Sequence, residues 1–265
     1  MTIGQSCLSF LVSFLASTVG AVCGIGGGII IKPTLDLLGW ANVSTISFLS
    51  SCTVLSMSFY TVGHSILAGD SRVKLKTGTP LAVGAAIGGA VGNHLFTAVK
   101  NAFANPNTVG AVQAGCLAVV TLGTLLYTLR KDQIRTHKTT NIAACLAIGL
   151  VLGICSSFLG IGGGPINLVV LYYFFSMSTK TAAANSLYII LFSQFTSLTI
   201  TLFSGNIPEF HWDALALMVL GGILGGIVGR SANRLLRTAT VERLFLGLMV
   251  LIIGICLYNF WQYAY

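Results

Sequence analysis

Gly24-Ile25-Gly26-Gly27-Gly28 interrupts an otherwise apolar run, and its reading decides the fold. The stretch returns as Gly160-Ile161-Gly162-Gly163-Gly164, 136 positions later. Glycine weakens a helix by about 1 kcal/mol relative to alanine. Four glycines in five positions therefore mark a break in a membrane helix. Such a break leaves backbone N–H and C=O groups unpaired unless protein or a water-filled cavity surrounds it. Matching breaks in two halves of an apolar chain point to the binding site of a transporter.

The sequence around the breaks is that of an integral membrane protein. Of 265 residues, 55% are hydrophobic and 8% charged, with a mean hydropathy of +0.89. A soluble domain carries about 25% charged residues. Little is left for a soluble module, and a multi-pass protein of the cell membrane, embedded in the lipid bilayer, is expected. The net charge of +8 sits in short loops. There it sets topology and is no signal for nucleic acid. No Lys or Arg precedes Lys32, so the basic region of a signal peptide is missing. Seven cysteines are scattered without a C-x-x-C pair and read as small buried residues, with no disulfide framework, metal or cofactor.

Apolar segments run roughly over 8–23, 28–40, 43–68, 78–99, 108–128, 142–159, 164–178, 181–204, 212–232 and 240–262. Those flanking the breaks are shorter than the ~20 residues of a spanning helix. The other six are long enough. Gly84, Gly88 and Gly92 form a stripe of small residues, and Gly221, Gly225 and Gly229 repeat it. Such stripes let another helix backbone approach closely. Ser50 and Ser186 also match across the halves. The chain thus divides into a first repeat at 1–128, a basic cytoplasmic linker at 129–141 and a second repeat at 142–265, within one transmembrane domain.

Charge chooses between two layouts. If each broken segment crosses once, the 14 Lys and Arg split evenly between the two sides. If each dips in and returns, each half has three crossings and the halves are inverted. Of those 14, all but Lys32 and Lys100 then share one side. That bias is what the positive-inside rule expects. The expected fold is an all-α membrane protein of two inverted repeats. Each repeat holds a re-entrant or broken helix pair at its Gly-rich break plus three spanning helices.

After each break a short helix begins, with unpaired N–H groups and a partial positive charge at its start. Gly24, Gly26, Gly27 and Gly28, with Gly160, Gly162, Gly163 and Gly164, would expose those groups to an anion. The competing reading is that these glycines serve tight packing. Polar stripes line the helices that follow. Ser47, Ser50, Ser51, Ser58, Thr61 and Ser65 share one face of the first. Ser186, Ser193, Ser197, Thr201 and Ser204 share one face of the second, flanked by Asn185 and Gln194. Hydroxyls and amides donate to oxyanions without a fixed charge, though they also join helices in ordinary bundles. Lys32 lies one turn past the first break and is a substrate-binding candidate; snorkelling to the surface is the alternative. Asp36 and Asp70 read as interfacial, and His64 and His94 as structural. The sequence shows no acid–base pair, nucleophile or metal cluster, so no catalytic residue is assigned.

The two glycine motifs, with Lys32-Pro33 after the first and Pro165 directly after the second, resemble the sulfite exporter TauE/SafE family of membrane permeases. The resemblance covers essentially the whole chain. It implies a transporter of small sulfur-containing anions such as sulfite or sulfonates, with protons as a candidate coupling ion. An anion channel or facilitator and a non-transport partner subunit remain alternatives. Because proline follows the glycines at once only in the second half, the two sites need not bind alike.

The charge bias gives a direct test. Single cysteines placed in the 129–141 loop and in the Arg230–Arg243 region, on a Cys-free background, are expected to label from the cytoplasmic side. A cysteine near Lys100 is expected to label from outside. Labelling of the first two regions from opposite sides would exclude the inverted layout.

Overall fold

The computed structural model describes residues 3–39, 41–70, 72–103, 106–161, 163–205 and 207–264. These form ten α-helices and no strand: α1 (Ile3–Cys23), α2 (Gly28–Leu37), α3 (Val43–Leu67), α4 (Leu75–Ala102), α5 (Pro106–Arg130), α6 (Ile142–Phe158), α7 (Pro165–Phe175), α8 (Thr179–Phe203), α9 (Trp212–Leu235) and α10 (Thr238–Ala264). Seven are long and apolar enough to span a membrane, one more than expected. The extra one is α1. Its helix begins at Ile3, so polar residues ahead of the apolar run extend it to 21 residues.

Both breaks fall where the glycines predict. Gly24 and Gly160 have φ of 77° and 63°, the left-handed region that L side chains disfavour. They end α1 and α6, and the Gly24 N–H donates back to the Gly20 carbonyl at 2.8 Å. The restarts differ. α2 begins after Gly27 without a side-chain cap. α7 begins with Pro165 in its first turn, where the missing N–H costs nothing.

The glycine stripes hold the two halves together. A Cβ on Gly84, Gly88 or Gly92 of α4 would lie 2.2, 2.1 and 2.6 Å from the carbonyl oxygens of Leu146, Leu150 and Ile154 of α6. On α9, Gly221, Gly225 and Gly229 meet Phe10, Phe14 and Thr18 of α1 in the same way, at 2.8, 2.5 and 2.3 Å. Phe10, Phe14 and Thr18 stand 136 positions before Leu146, Leu150 and Ile154. Each half thus presses its glycine helix onto the opening helix of the other. Contacts this short need backbone against backbone, which a larger side chain would prevent.

The connections gather at two ends of the bundle. The 131–141 segment lies on the end of α7, where the His137 and Thr139 amides donate to the Tyr173 and Phe174 carbonyls at 2.7 and 2.9 Å. Lys131 pairs with Glu242 at the start of α10, at 2.5 Å. Arg72, before α4, donates to Asn233 near the end of α9. At the other end, Gln5, Asn42, Glu209 and His211 surround one cavity. Three sequence expectations need correction. Asp36 is buried, at 8% exposure. His64 and His94 are exposed on outer helix faces, so neither is a core histidine. The cysteines are not uniformly buried, since Cys7 and Cys116 are exposed. Burial follows which face each helix turns inward, and the spacing of a lone residue in an all-apolar run does not reveal that.

Gly88→Ala and Gly225→Ala are expected to destabilise by about 1–3 kcal/mol, the usual cost of overpacking. Gly247→Ala, at a position with open space around it, is expected to be neutral or to stabilise by up to about 1 kcal/mol. Thermal unfolding of the detergent-purified variants measures the difference.

Candidate functional site

Lys32 lies in the short helix α2, and its ammonium reaches across to the second break. It is 3% exposed. Nζ donates to Ser47 Oγ at 2.8 Å and to Gln113 Oε1. Gln113, on α5, donates in turn to the Phe158 carbonyl at the end of α6, at 2.6 Å. A Cβ on Gly160 would sit 2.9 Å from Ser47 Oγ and 3.7 Å from Lys32 Nζ. Among the described residues no carboxylate lies within 4 Å of this ammonium. The cation is held by neutral groups.

Ser47 and Gly160 form the floor of a polar chamber of about 100 Å³. Ser51, Ser157, Ser197 and Thr201 line its walls, and Asn93 and Lys100 stand toward the end of α4. Asn93 Nδ2 donates to Thr201 Oγ1 at 2.8 Å and to Ser197 Oγ at 3.2 Å. The Ser157 hydroxyl is buried without a protein partner. A cation directly behind the floor and hydroxyl donors on the walls make an environment for a small oxyanion. A larger groove of about 990 Å³ beside Phe59, Phe195 and Trp212 is apolar and offers an anion nothing.

A second chamber, of about 30 Å³, is built from residues at the equivalent positions. Ser47, Ser51, Ser197 and Thr201 of the first correspond to Ala183, Leu187, Thr61 and Ser65 of the second, 136 positions apart. Asn93 corresponds to Arg230, 137 positions on. The hydrogen bond from Asn93 to Thr201 is matched by one from Arg230 Nε to Ser65 Oγ at 3.1 Å. Where Gly160 meets Ser47, Gly24 meets Ala183, whose Cα lies 2.2 Å from a Cβ built there. The second floor is therefore apolar, and Leu168 takes the place of Lys32. Charge gathers instead on the walls. Arg72 forks onto Asp70 with hydrogen bonds of 2.9 and 2.6 Å, while Lys180 and Arg230 face the same space.

The predicted site residues separate into groups. Ser51 and Gly160 line the first chamber, and Lys32 lies directly behind Gly160. Gly24, Gly27 and Gly28 do not open onto a ligand space. Gly24 is closed by Ala183, Gly27 by Ser17, and Gly28 by the Ile161 carbonyl, with a built Cβ 2.2 Å away. Gly26 is buried beneath Gly20, whose built Cβ would touch its carbonyl carbon at 2.6 Å. Two crossing helices can approach a break so closely only because these residues lack side chains, so the packing reading describes this break. Gly163 packs on Ile190, Gly164 lies near Ile161 and Ile29, and Gly162 falls outside the described residues. Asn185 fastens the start of α4, accepting from the Lys74 amide at 3.0 Å and donating to the Arg72 carbonyl at 2.8 Å. Gln194 donates to Ser156 at 3.3 Å, joining α8 to α6.

Ser50 and Ser186 keep their pairing in a different sense. Both are fully buried, and neither hydroxyl has a protein partner. Ser58 Oγ and Gln194 Oε1, also 136 apart, are equally unpartnered. The stripe on α3 thus runs from Ser47 and Ser51 at the first chamber to Thr61 and Ser65 at the second. Sequence reasoning missed Gln113, Ser157 and Asn93. A lone Gln inside the apolar α5 was the available signal for the first, since an amide in such a run needs a partner.

A family model described as sulfite exporter TauE/SafE matches residues 9–256. The chain is similar to "Probable membrane transporter protein YunE" of Bacillus subtilis (strain 168), 25% identical over 91% of this chain and 93% of that protein. It is 27% identical to a "Probable membrane transporter protein" of Haemophilus influenzae over 59% of each chain. With "Probable membrane transporter protein MamO" of Magnetospirillum gryphiswaldense it shares 31% identity over 40% of this chain and 17% of that one. No solved structure matches.

The Arg72 hydrogen bonds hold the Asp70 carboxyl at about 2, below the usual carboxylate range. A carboxylate depressed by folding stabilises the folded state fully above its unfolded value of about 4, and that contribution is lost as pH falls toward 2. Asp70→Asn is therefore expected to lower the thermal midpoint at pH 7, by about 1 kcal/mol or less for a pair near the surface. The gap from wild type should narrow below pH 4, as thermal scans across pH will record.

Proposed function

The chain belongs to the sulfite exporter TauE/SafE family, and from that premise we propose that it is a secondary transporter of a small sulfur-containing anion. It is a multi-pass membrane protein of a permease family. Sulfite, a sulfonate or a related oxyanion is the substrate class. The reading rests on one observation. Lys32 is a buried cation whose hydrogen-bond partners are neutral, held directly behind Ser47 and Gly160 of a hydroxyl-lined chamber. A buried ammonium that touches no carboxylate is costly inside the membrane, by a few kcal/mol on insertion scales. A bound anion offsets that cost. The neutral donors around it orient oxygens without repelling or neutralising them.

The same reading takes residues 1–128 and 142–265 as inverted repeats joined by the cytoplasmic linker 129–141. The directions of α3 and α8 support it. α3 gives its first half to the first chamber and its end to the second, and α8 does the reverse. The first chamber then faces outside, beside Lys100, and the second faces the cytoplasm among Arg72, Lys180 and Arg230. The unpartnered hydroxyls of Ser50, Ser58 and Ser186 mark the path between them. Gly28 packs tightly on the Ile161 carbonyl, a closed contact between the breaks that favours alternating access over an open channel.

Lys32→Met is expected to weaken anion affinity at least tenfold in liposomes, because about 1.4 kcal/mol of lost attraction already gives that factor. Its uptake should also depend less on ionic strength. Lys32→Arg should retain most of the attraction with an altered fit. Unchanged affinity and salt dependence in Lys32→Met, with monodisperse protein, would reject this assignment.

A further inference from the structure

Asp36 stands one turn beyond Lys32 on the same face of α2 and has no part in holding the chamber. It is 8% exposed, and its Oδ1 is buried without a hydrogen-bond partner. Tyr263 of α10 lies beside the carboxylate. Asn259 of α10 donates to the Pro33 carbonyl at 2.9 Å and fixes α10 against this turn. No ion pair within 4 Å joins Asp36 to Lys32 among the described residues, whose ammonium points away to Ser47 and Gln113. The molecule thus buries a carboxylate and an ammonium on one short helix, near each other but not neutralised by contact.

The surrounding groups leave the balance to these two. From α10, Tyr263 and Cys256 face Asp36. From α5, the neutral Gln113 faces Lys32. The other helices packed on α2 are α1 and α3, and neither carries an Asp, Glu, Lys or Arg. His64 of α3 is exposed at its far end. Without ligand, the ammonium and carboxylate sum to zero. With an anion on Lys32 the buried region would carry one net negative charge, which a low-dielectric interior penalises. One proton on Asp36 restores neutrality.

We propose that Asp36 is the proton-carrying residue of this transporter: each monoanion that binds at Lys32 brings one proton onto the Asp36 carboxylate. The inference rests on the anion site proposed above and adds its coupling ion. The step is a protonation alone. A proton moves from water to a carboxylate oxygen, and no other bond changes. The charge of the anion is cancelled in transit, so anion and proton cross together as a neutral pair.

The test uses the full chain in detergent and methanesulfonate, which stays a monoanion at every working pH. Calorimetry in buffers of differing ionisation enthalpy counts the protons taken up per anion. Wild type is expected to take up about one proton. Between the proton affinities of empty and loaded Asp36, its anion affinity should fall about tenfold per pH unit. Asp36→Asn, which mimics the protonated acid, should bind with no pH slope and no proton uptake. Tyr263→Phe removes the hydroxyl beside the carboxylate, and the less polar surroundings disfavour its charged form. It should keep the slope and move its midpoint to higher pH, which keeps the idea testable if Asp36→Asn folds poorly.

A slope that survives in Asp36→Asn, an unmoved midpoint in Tyr263→Phe, or Lys32-dependent binding without proton uptake overturns the Asp36 assignment and leaves the anion site standing. Binding indifferent to Lys32→Met, or no binding of methanesulfonate, sulfite or thiosulfate at all, removes the anion site and this inference together.

Discussion

Close contact between backbones of the two halves is the constraint on which the structure depends. α4 lies on α6, and α9 on α1, through glycines whose missing side chains would strike carbonyl oxygens. In lipid there is little hydrophobic drive between helices, so van der Waals contact at short range must supply association. The opening helices α1 and α6 are those that end at the breaks. Gripping them along their length holds both breaks inside protein, where irregular backbone can be tolerated. The site exists because the breaks are enclosed in this way.

The equivalence of the halves is structural, but their chemistry has diverged. Both breaks are closed by a residue from the helix that follows the other break, Ser47 on one side and Ala183 on the other. One floor carries a hydroxyl with an ammonium behind it, the other a methyl group, and Leu168 stands at the position matching Lys32. On the walls the exchange runs the other way, with Asn93 in one chamber and Arg230 in the other. The guanidinium groups of the second chamber lie at its mouth and are partly neutralised by Asp70.

The polar seam between the chambers has an energetic reading. Buried hydroxyls without partners are uncommon in proteins, because each forfeits its hydrogen bonds to water. Here Ser50, Ser58 and Ser186 lie along the two helices that join the chambers. Other hydroxyls on α3 behave differently. Thr53 and Thr61 donate to carbonyls one turn back, at 2.8 Å each, the usual way a membrane helix satisfies such groups. Ser50 and Ser58 on the same helix do not.

The sequence by itself determined the membrane class, the position of both breaks and the two glycine stripes. Each of these is a local property. Consecutive glycines end a helix wherever they stand, and glycines four apart make a flat face on any helix. The approach of Lys32 to the second break was not legible, nor was the role of Gln113. Both depend on how α2, α5 and α6 cross, and the three are distant in sequence. The same holds for the sealing of Gly24 and Gly28. Whether a glycine exposes its backbone or admits a neighbour is decided by what packs on it, here Ala183 and Ile161 from the other half of the chain. Spacing revealed which residues share a helix face, while the tertiary structure decided which faces meet, because those contacts join separate helices distant in the sequence.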